Sequence, residues 1–313
     1  MWKKVIYLVA IVVCGALMVA MLLSFRDSGE RFLASVESVP GENEVTSAAP
    51  NNDWIEIYDL ELTGVQMDID QVVFAGEQAL VLDRARQIVV LVDLATKNFL
   101  TLPDLPAHTQ AVWLDDDGVF VYAGSVWTYR EVPKAWAKLT PDFDFPEEIA
   151  YLRRFGNNFY LFGEGLVRRV AFDAEEHFVE LTDWLDEDVT APSEISDVAI
   201  DGYIYFASQG EPAVSRFLRG TPDRNYSLPG GGQIYLATSD NWLLTLTPRR
   251  VEFDVRTLTD QKVIAWQDEW LREARFLGYS SDDDTLLTLH GRKFYRFAPG
   301  LASYKSVDQN ISD

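Results

Sequence analysis

Residues 67–106 read MDIDQVVFAGEQALVLDRARQIVVLVDLATKNFLTLPDLP. Four short apolar runs stand out: Ile69–Phe74, Ala79–Leu82, Gln87–Asp93 and Phe99–Leu102. Gly, Asp and Asn turns separate them, and Pro ends the unit. Runs of four to eight apolar residues bounded by turn formers are the strand signal, and no helical period competes with it. A four-stranded antiparallel unit of about 40 residues is the blade of a β-propeller.

The same pattern recurs along the chain. The first strand of each unit starts near residues 69, 111, 149, 195, 233 and 274, at intervals of 42, 38, 46, 38 and 41. The sixth unit has only three good strands, Ala274–Tyr279, Thr285–His290 and Lys293–Phe297. Trp54–Leu62 (WIEIYDLEL) is an alternating strand that precedes the first unit and has no partner there. It can supply the missing outer strand of the last blade. A ring closed in this way leaves few exposed edges and couples the two ends of a repeat domain. The expected fold is all-β, a six-bladed propeller closed by an N-terminal strand, with seven blades as the alternative. Paired β-sandwiches keep no 40-residue period, and a β-helix has shorter coils.

Residues 53–300 thus resemble the broad class of bacterial β-propellers that includes the YVTN, PQQ-like and NHL-like repeats. The resemblance is architectural. No tryptophan is followed by Asp, the only glycine run is Gly230–Gly232, and no Asp-box repeats. The resemblance therefore transfers no functional residues.

Ahead of the ring, Met1-Trp2-Lys3-Lys4 leads into an uncharged run from Val5 to Phe25. As a helix it would be about 31 Å long, which matches a hydrocarbon core of about 30 Å. Lys3 and Lys4 in front of it place the N-terminus in the cytoplasm. The run is long for a cleaved signal peptide. Cys14, the one cysteine, lacks the small residue before it that a lipidation site needs. We expect a membrane anchor over residues 1–25, with the membrane contact through 5–25. A Ser-, Glu- and Pro-containing linker follows over 26–52, then the propeller over 53–300 and a polar tail over 301–313. The chain would be a single-pass protein of the cell membrane with an extracytoplasmic propeller and an envelope protein as partner.

Charge narrows the function classes. The 27 basic and 49 acidic residues leave a formal charge of -22 over 313 residues. Without residues 1–25 the charge is -24. Nucleic-acid binding needs a basic footprint, so it is excluded as a partner class. No nucleophile elbow, zincin, P-loop or dinucleotide-binding pattern appears, and no resident cofactor is expected.

Three groups of residues remain as site candidates. Asp115 and Asp117 in the Asp115–Asp117 triplet, and Asp282 and Asp284 in the Asp282–Asp284 triplet, fall in turns between first and second strands. Calcium takes such oxygen ligands, though the distal Glu of an EF-hand loop is missing. Arg84 with Arg86, Arg249 with Arg250, and Arg292 with Lys293 fall in turns between second and third strands. Blade topology sends the two kinds of turn to opposite faces, so these cations mark a candidate anion- or partner-binding face. Trp184 and Trp270 lie between blades on the face with the cations, where an aromatic ring can anchor a partner. The expected function is a non-enzymatic interaction or ligand-binding scaffold. The alternative is a hydrolase or lyase of an extracellular polymer that works through channel carboxylates.

Overall fold

The computed structural model describes residues 54–145, 148–175, 177–192, 194–228, 232–239, 242–255, 263–280 and 283–300. The expected anchor, the linker, the C-terminal tail and Asp282 lie outside these residues. No helix among the described residues is long and apolar enough to cross a membrane.

The described strands form six four-stranded antiparallel sheets. The chain opens with β1 (Ile55–Asp59). Blade 1 is β2 (Gln71–Ala75), β3 (Gln78–Asp83), β4 (Ile88–Asp93) and β5 (Asn98–Thr101). Blade 2 is β6 (Ala111–Asp115), β7 (Gly118–Tyr122), β8 (Val126–Arg130) and β9 (Ala135–Lys138). Blade 3 is β10 (Ile149–Phe155), β11 (Asn158–Gly163), β12 (Leu166–Phe172) and β13 (Phe178–Asp183). Blade 4 is β14 (Ile195–Ile200), β15 (Ile204–Ser208), β16 (Ala213–Leu218) and β17 (Thr221–Ser227). Blade 5 is β18 (Tyr235–Thr238), β19 (Trp242–Thr247), β20 (Arg250–Val255) and β21 (Val263–Gln267). Blade 6 is β22 (Ala274–Ser280), β23 (Thr285–His290), β24 (Lys293–Phe297) and, outermost, β1.

The first strands of the six blades touch in sequence, and β22 touches β2 to complete the circle. Six blades is therefore the count. The closing strand is shorter than WIEIYDLEL suggests. The Asp59 side chain accepts a hydrogen bond from the Glu61 amide at 2.9 Å and caps a 3-10 turn, Leu60–Thr63. Gly64 ends that turn with φ of 67°, a left-handed conformation that suits glycine.

Burial falls from the ring outward, and residue choice follows it. The second strand of a blade is covered by both neighbouring blades, so it reads as a continuous apolar run. In β15 and β19 every residue is buried. The outermost β5 is exposed throughout. β17 carries Pro222 and four exposed polar positions, a composition that an edge strand tolerates.

Three first strands carry a bulge near their start, between Ile149 and Tyr151, Ile195 and Asp197, and Arg275 and Leu277. A bulge leaves its extra residue out of the ladder and re-aims the side chains beyond it. Each extra carbonyl is taken up by a side chain. Arg84 Nη2 donates to Ala150 O at 2.7 Å, the Tyr151 hydroxyl to Ser196 O at 2.5 Å, and Thr288 Oγ1 to Phe276 O at 2.8 Å. Gly278 on β22 allows a close approach of blades 6 and 1: a Cβ there would lie 2.5 Å from the Cβ of Phe74.

Candidate functional site

The central channel is lined by the first strands of all six blades and holds a cavity of about 140 Å³. Most of its lining residues are apolar, with one ion pair built in among them. Arg153 Nη2 donates to Asp197 Oδ1 at 2.9 Å, Nε to Val198 O at 2.9 Å and Nη1 to Leu152 O at 3.0 Å. Asp197 also accepts from the amides of Val198 and Leu236, both at 2.8 Å. The pair thus joins blades 3, 4 and 5. The guanidinium also lies 5.3 Å from the Trp113 ring of blade 2 and 5.2 Å from Tyr151. Burial pushes the Asp197 carboxyl up and the Arg153 guanidinium down, and their mutual attraction opposes both shifts. Every hydrogen-bonding group of this pair faces a protein partner, so it reads as a fastening across three blades.

The six cations singled out in the turns do similar work. Arg84 reaches from blade 1 to the start of blade 3, with Glu148 3.7 Å away. Arg86 pairs with Asp68 at 2.6 Å and with the fully buried Asp83 at 2.9 Å. Burial raises the Asp83 carboxyl, but hydrogen bonds from Arg86 and the Asp68 amide outweigh it and hold the group below its usual range. Arg249 faces Glu269 at 3.3 Å, and Arg250 pairs with Glu252. Arg292 donates to Met67 O at 2.8 Å and Val65 O at 3.3 Å, across the ring closure. Lys293 faces Glu56 at 3.0 Å and Asp59 at 3.7 Å, which fixes β1 to β24. Arg84, Arg292 and Lys293 therefore hold connections between blades and the closing strand, whereas Arg86 and Arg250 pair within their own blades.

The two loop tryptophans pack as well. Trp184 meets Tyr160 edge-on at 6.3 Å. Trp270, in the 3-10 turn Glu269–Glu273, stacks between Trp54 at 5.0 Å and His290 at 4.6 Å. The aspartates of the first-to-second turns are also engaged. Asp115 accepts from Trp113 Nε1 at 2.9 Å, Asp117 pairs with Arg154, and Asp284 accepts from the Tyr279 hydroxyl at 2.7 Å. Among the described residues no three acidic, His or Cys side chains come together as a metal site.

Two features escape sequence reasoning. The first is an acidic pair between blades 4 and 5. Glu252 and Asp254, 3% and 1% exposed, sit two apart on β20 and so share one face. Burial pushes Glu252 up to about 7; Arg250 opposes the shift and Asp254 adds to it. The neighbouring blades wall the pair off from solvent.

The second is an open cleft of about 240 Å³ between blades 2 and 3. Phe120 and Phe159, in edge contact at 4.9 Å, form its floor, and Phe172 meets Phe159 at 5.6 Å. Arg154 enters from β10, with its guanidinium carbon 5.3 Å from the Phe120 ring and 5.5 Å from Phe159. Its side chain is only 10% exposed. Nη1 pairs with Asp117 and lies 3.5 Å from Asp115. Nε is buried without a hydrogen-bond partner. An arginine held between two rings, with donors left over, is what an incoming acceptor needs. The sequence signal was the Arg-Arg pair inside the apolar strand IAYLRRF.

The fold and these sites define a β-propeller with repeat-like blades. No family model matches the chain, and no curated protein matches it. It is similar in structure to a gluconolactonase from Xanthomonas campestris, with a TM-score of 0.56 and 10% identity over 82% of this chain and 91% of that one. It is also similar to streptogramin B lyase, with a TM-score of 0.51 and 12% identity over 80% of this chain and 99% of that one. A third similar structure is PorZ, a surface component of the type-IX secretion system of Porphyromonas gingivalis. There the TM-score is 0.52 and the identity 11%, over 75% of this chain and 32% of that one. The chain thus spans about a third of the length of PorZ. Two of these proteins carry enzyme names and one a secretion-system name, and at such identities the likeness concerns the fold alone.

Proposed function

We propose that this protein is a membrane-anchored, extracytoplasmic binding scaffold whose working face carries the turns between first and second strands. The observation that carries the reading is the cleft between blades 2 and 3, which opens beside the Asp115–Asp117 turn. It combines an aromatic floor with an arginine that has donors to spare. On the opposite face the six turn cations each have a partner within the chain, and Arg84 and Arg250, like Arg154, keep an Nε without a hydrogen bond. What sets Arg154 apart is the open aromatic cleft it lines. The uncharged run from Val5 to Phe25 supports the anchor, and the charge of -22 favours solubility outside the membrane.

The polymer-cleaving alternative calls for two carboxylates at the channel, as glycoside hydrolysis does. Asp197 is the one carboxylate among the residues lining the channel cavity, and Arg153 holds it.

The test uses the full chain in its native membrane, with a photo-crosslinking residue at the exposed Asp116 or, on the opposite face, at the exposed Ala85. One discrete envelope-protein adduct at Asp116, suppressed by excess purified full chain, is expected. An adduct at Ala85 alone would reverse the face, and none at either would count against a scaffold.

A further inference from the structure

We infer that the cleft between blades 2 and 3 takes a small, uncharged aromatic carboxamide. This deepens the reading of the cleft as a binding site and rests on it. The argument starts from size. A dry apolar cavity of about 150 Å³ holds a benzene ring, and the cleft, at about 240 Å³, has room for one ring and a short polar substituent. Phe120, Phe159 and Phe172 give the ring an apolar, edge-and-face environment.

Polarity then selects the substituent. The Arg154 side chain lines the cleft with Nη1 engaged by Asp117 and Nε without a hydrogen bond. It therefore offers donors and no acceptor. Asp117 stands beside it with its side chain 66% exposed, so its carboxylate can accept a further hydrogen bond. A donor and an acceptor side by side match a carboxamide, whose carbonyl oxygen meets Arg154 and whose N–H meets Asp117. A carboxylate would satisfy Arg154 equally well. It would also meet Asp117 and Asp115 at close range, in a chain of net charge -22. Arg130, the second cation of the cleft wall, is exposed and screened by water, and Arg154 already has its counter-charge, so a neutral ligand completes the site without adding a second one.

The experiment measures binding of 4-fluorobenzamide and 4-fluorobenzoate to the full chain in detergent micelles by ligand-observed fluorine NMR, with empty micelles as the control. For a ligand of this size a Kd near or below about 1 mM is expected for the benzamide. Unlabelled benzamide should displace it, and the benzoate should bind at least 5-fold more weakly (an order-of-magnitude expectation for one added charge repulsion). Arg154→Met should abolish binding of both. Asp117→Ala, at an exposed side chain, should weaken the benzamide and strengthen the benzoate, a crossover that a merely structural role would not produce. Tighter binding of the benzoate to the native chain, or benzamide binding indifferent to both substitutions, overturns the carboxamide assignment. Failure of both probes together with a surviving Asp116 adduct removes the ligand class and leaves the scaffold. Loss of the adduct with both probes silent removes both.

Discussion

Arg153 and Arg154 are consecutive on β10, and strand alternation sends them to opposite sides of blade 3. Arg153 turns into the channel wall and gives hydrogen bonds to Asp197, Val198 O and Leu152 O. Arg154 turns toward blade 2, rests between two phenylalanine rings and meets an exposed aspartate. Both side chains are nine-tenths buried. They differ in what surrounds their nitrogens. A buried charge with every nitrogen matched belongs to the framework. One with unmatched donors beside an open cleft is kept for something else. Burial alone does not tell a structural arginine from a binding one.

Removing one partner of the channel pair should have the largest effect. Asp197→Asn leaves Arg153 buried without its counter-charge, and urea unfolding should show a loss of about 3–5 kcal/mol. The double change Arg153→Met with Asp197→Leu should recover most of that loss, since two apolar side chains can replace a buried pair. If the single and double changes cost the same, the pair is not the fastening described above.

A second effect comes from Glu252, a buried carboxylate whose cation does not keep it ionised. Its folded-state value of about 7 lies above the ordinary 4.5. The folded chain therefore binds the proton more tightly. This contribution is fully present below about pH 4.5 and is lost as pH rises through about 7. Glu252→Gln should remove that decline and leave the variant more stable at pH 8 by about 2–3 kcal/mol. Parallel stability curves for the two proteins from pH 4 to 8 would refute the shift.

The channel wall is also the tighter of the two regions. Gly278→Ala would drive a methyl group against Phe74, so a loss of about 1–3 kcal/mol in thermal unfolding is expected. The smallest effect belongs to the cleft. Arg154→Met should cost less than about 1 kcal/mol, because the Asp117 it releases is mostly exposed. A loss as large as that of Asp197→Asn would erase the distinction between the two arginines.

The ring was legible in the sequence because blades are local. Each is built from consecutive strands, and the 40-residue period and the unpaired N-terminal strand both survive as pattern. The roles of the turn cations were not legible. Turn topology gives the face a residue lies on, but its partner can be far along the chain, as Arg292 is from Val65 and Met67. The two β10 arginines and the Asp197, Glu252 and Asp254 carboxylates carried a usable signal. They are charges set inside apolar strands of a buried ring, where each needs a partner. Naming that partner requires knowing which blades adjoin and how the bulges turn the strands, and the alternation of residues alone does not supply this.

The distinction between a fastening arginine and a binding one is tested most directly by two double-mutant cycles on the full chain. One pairs Arg153→Met with Asp197→Leu, and the other pairs Arg154→Met with Asp117→Ala. The coupling energy should be about 2–3 kcal/mol for the first pair and below about 0.5 kcal/mol for the second. Equal couplings, or a larger one at Arg154, would contradict the account.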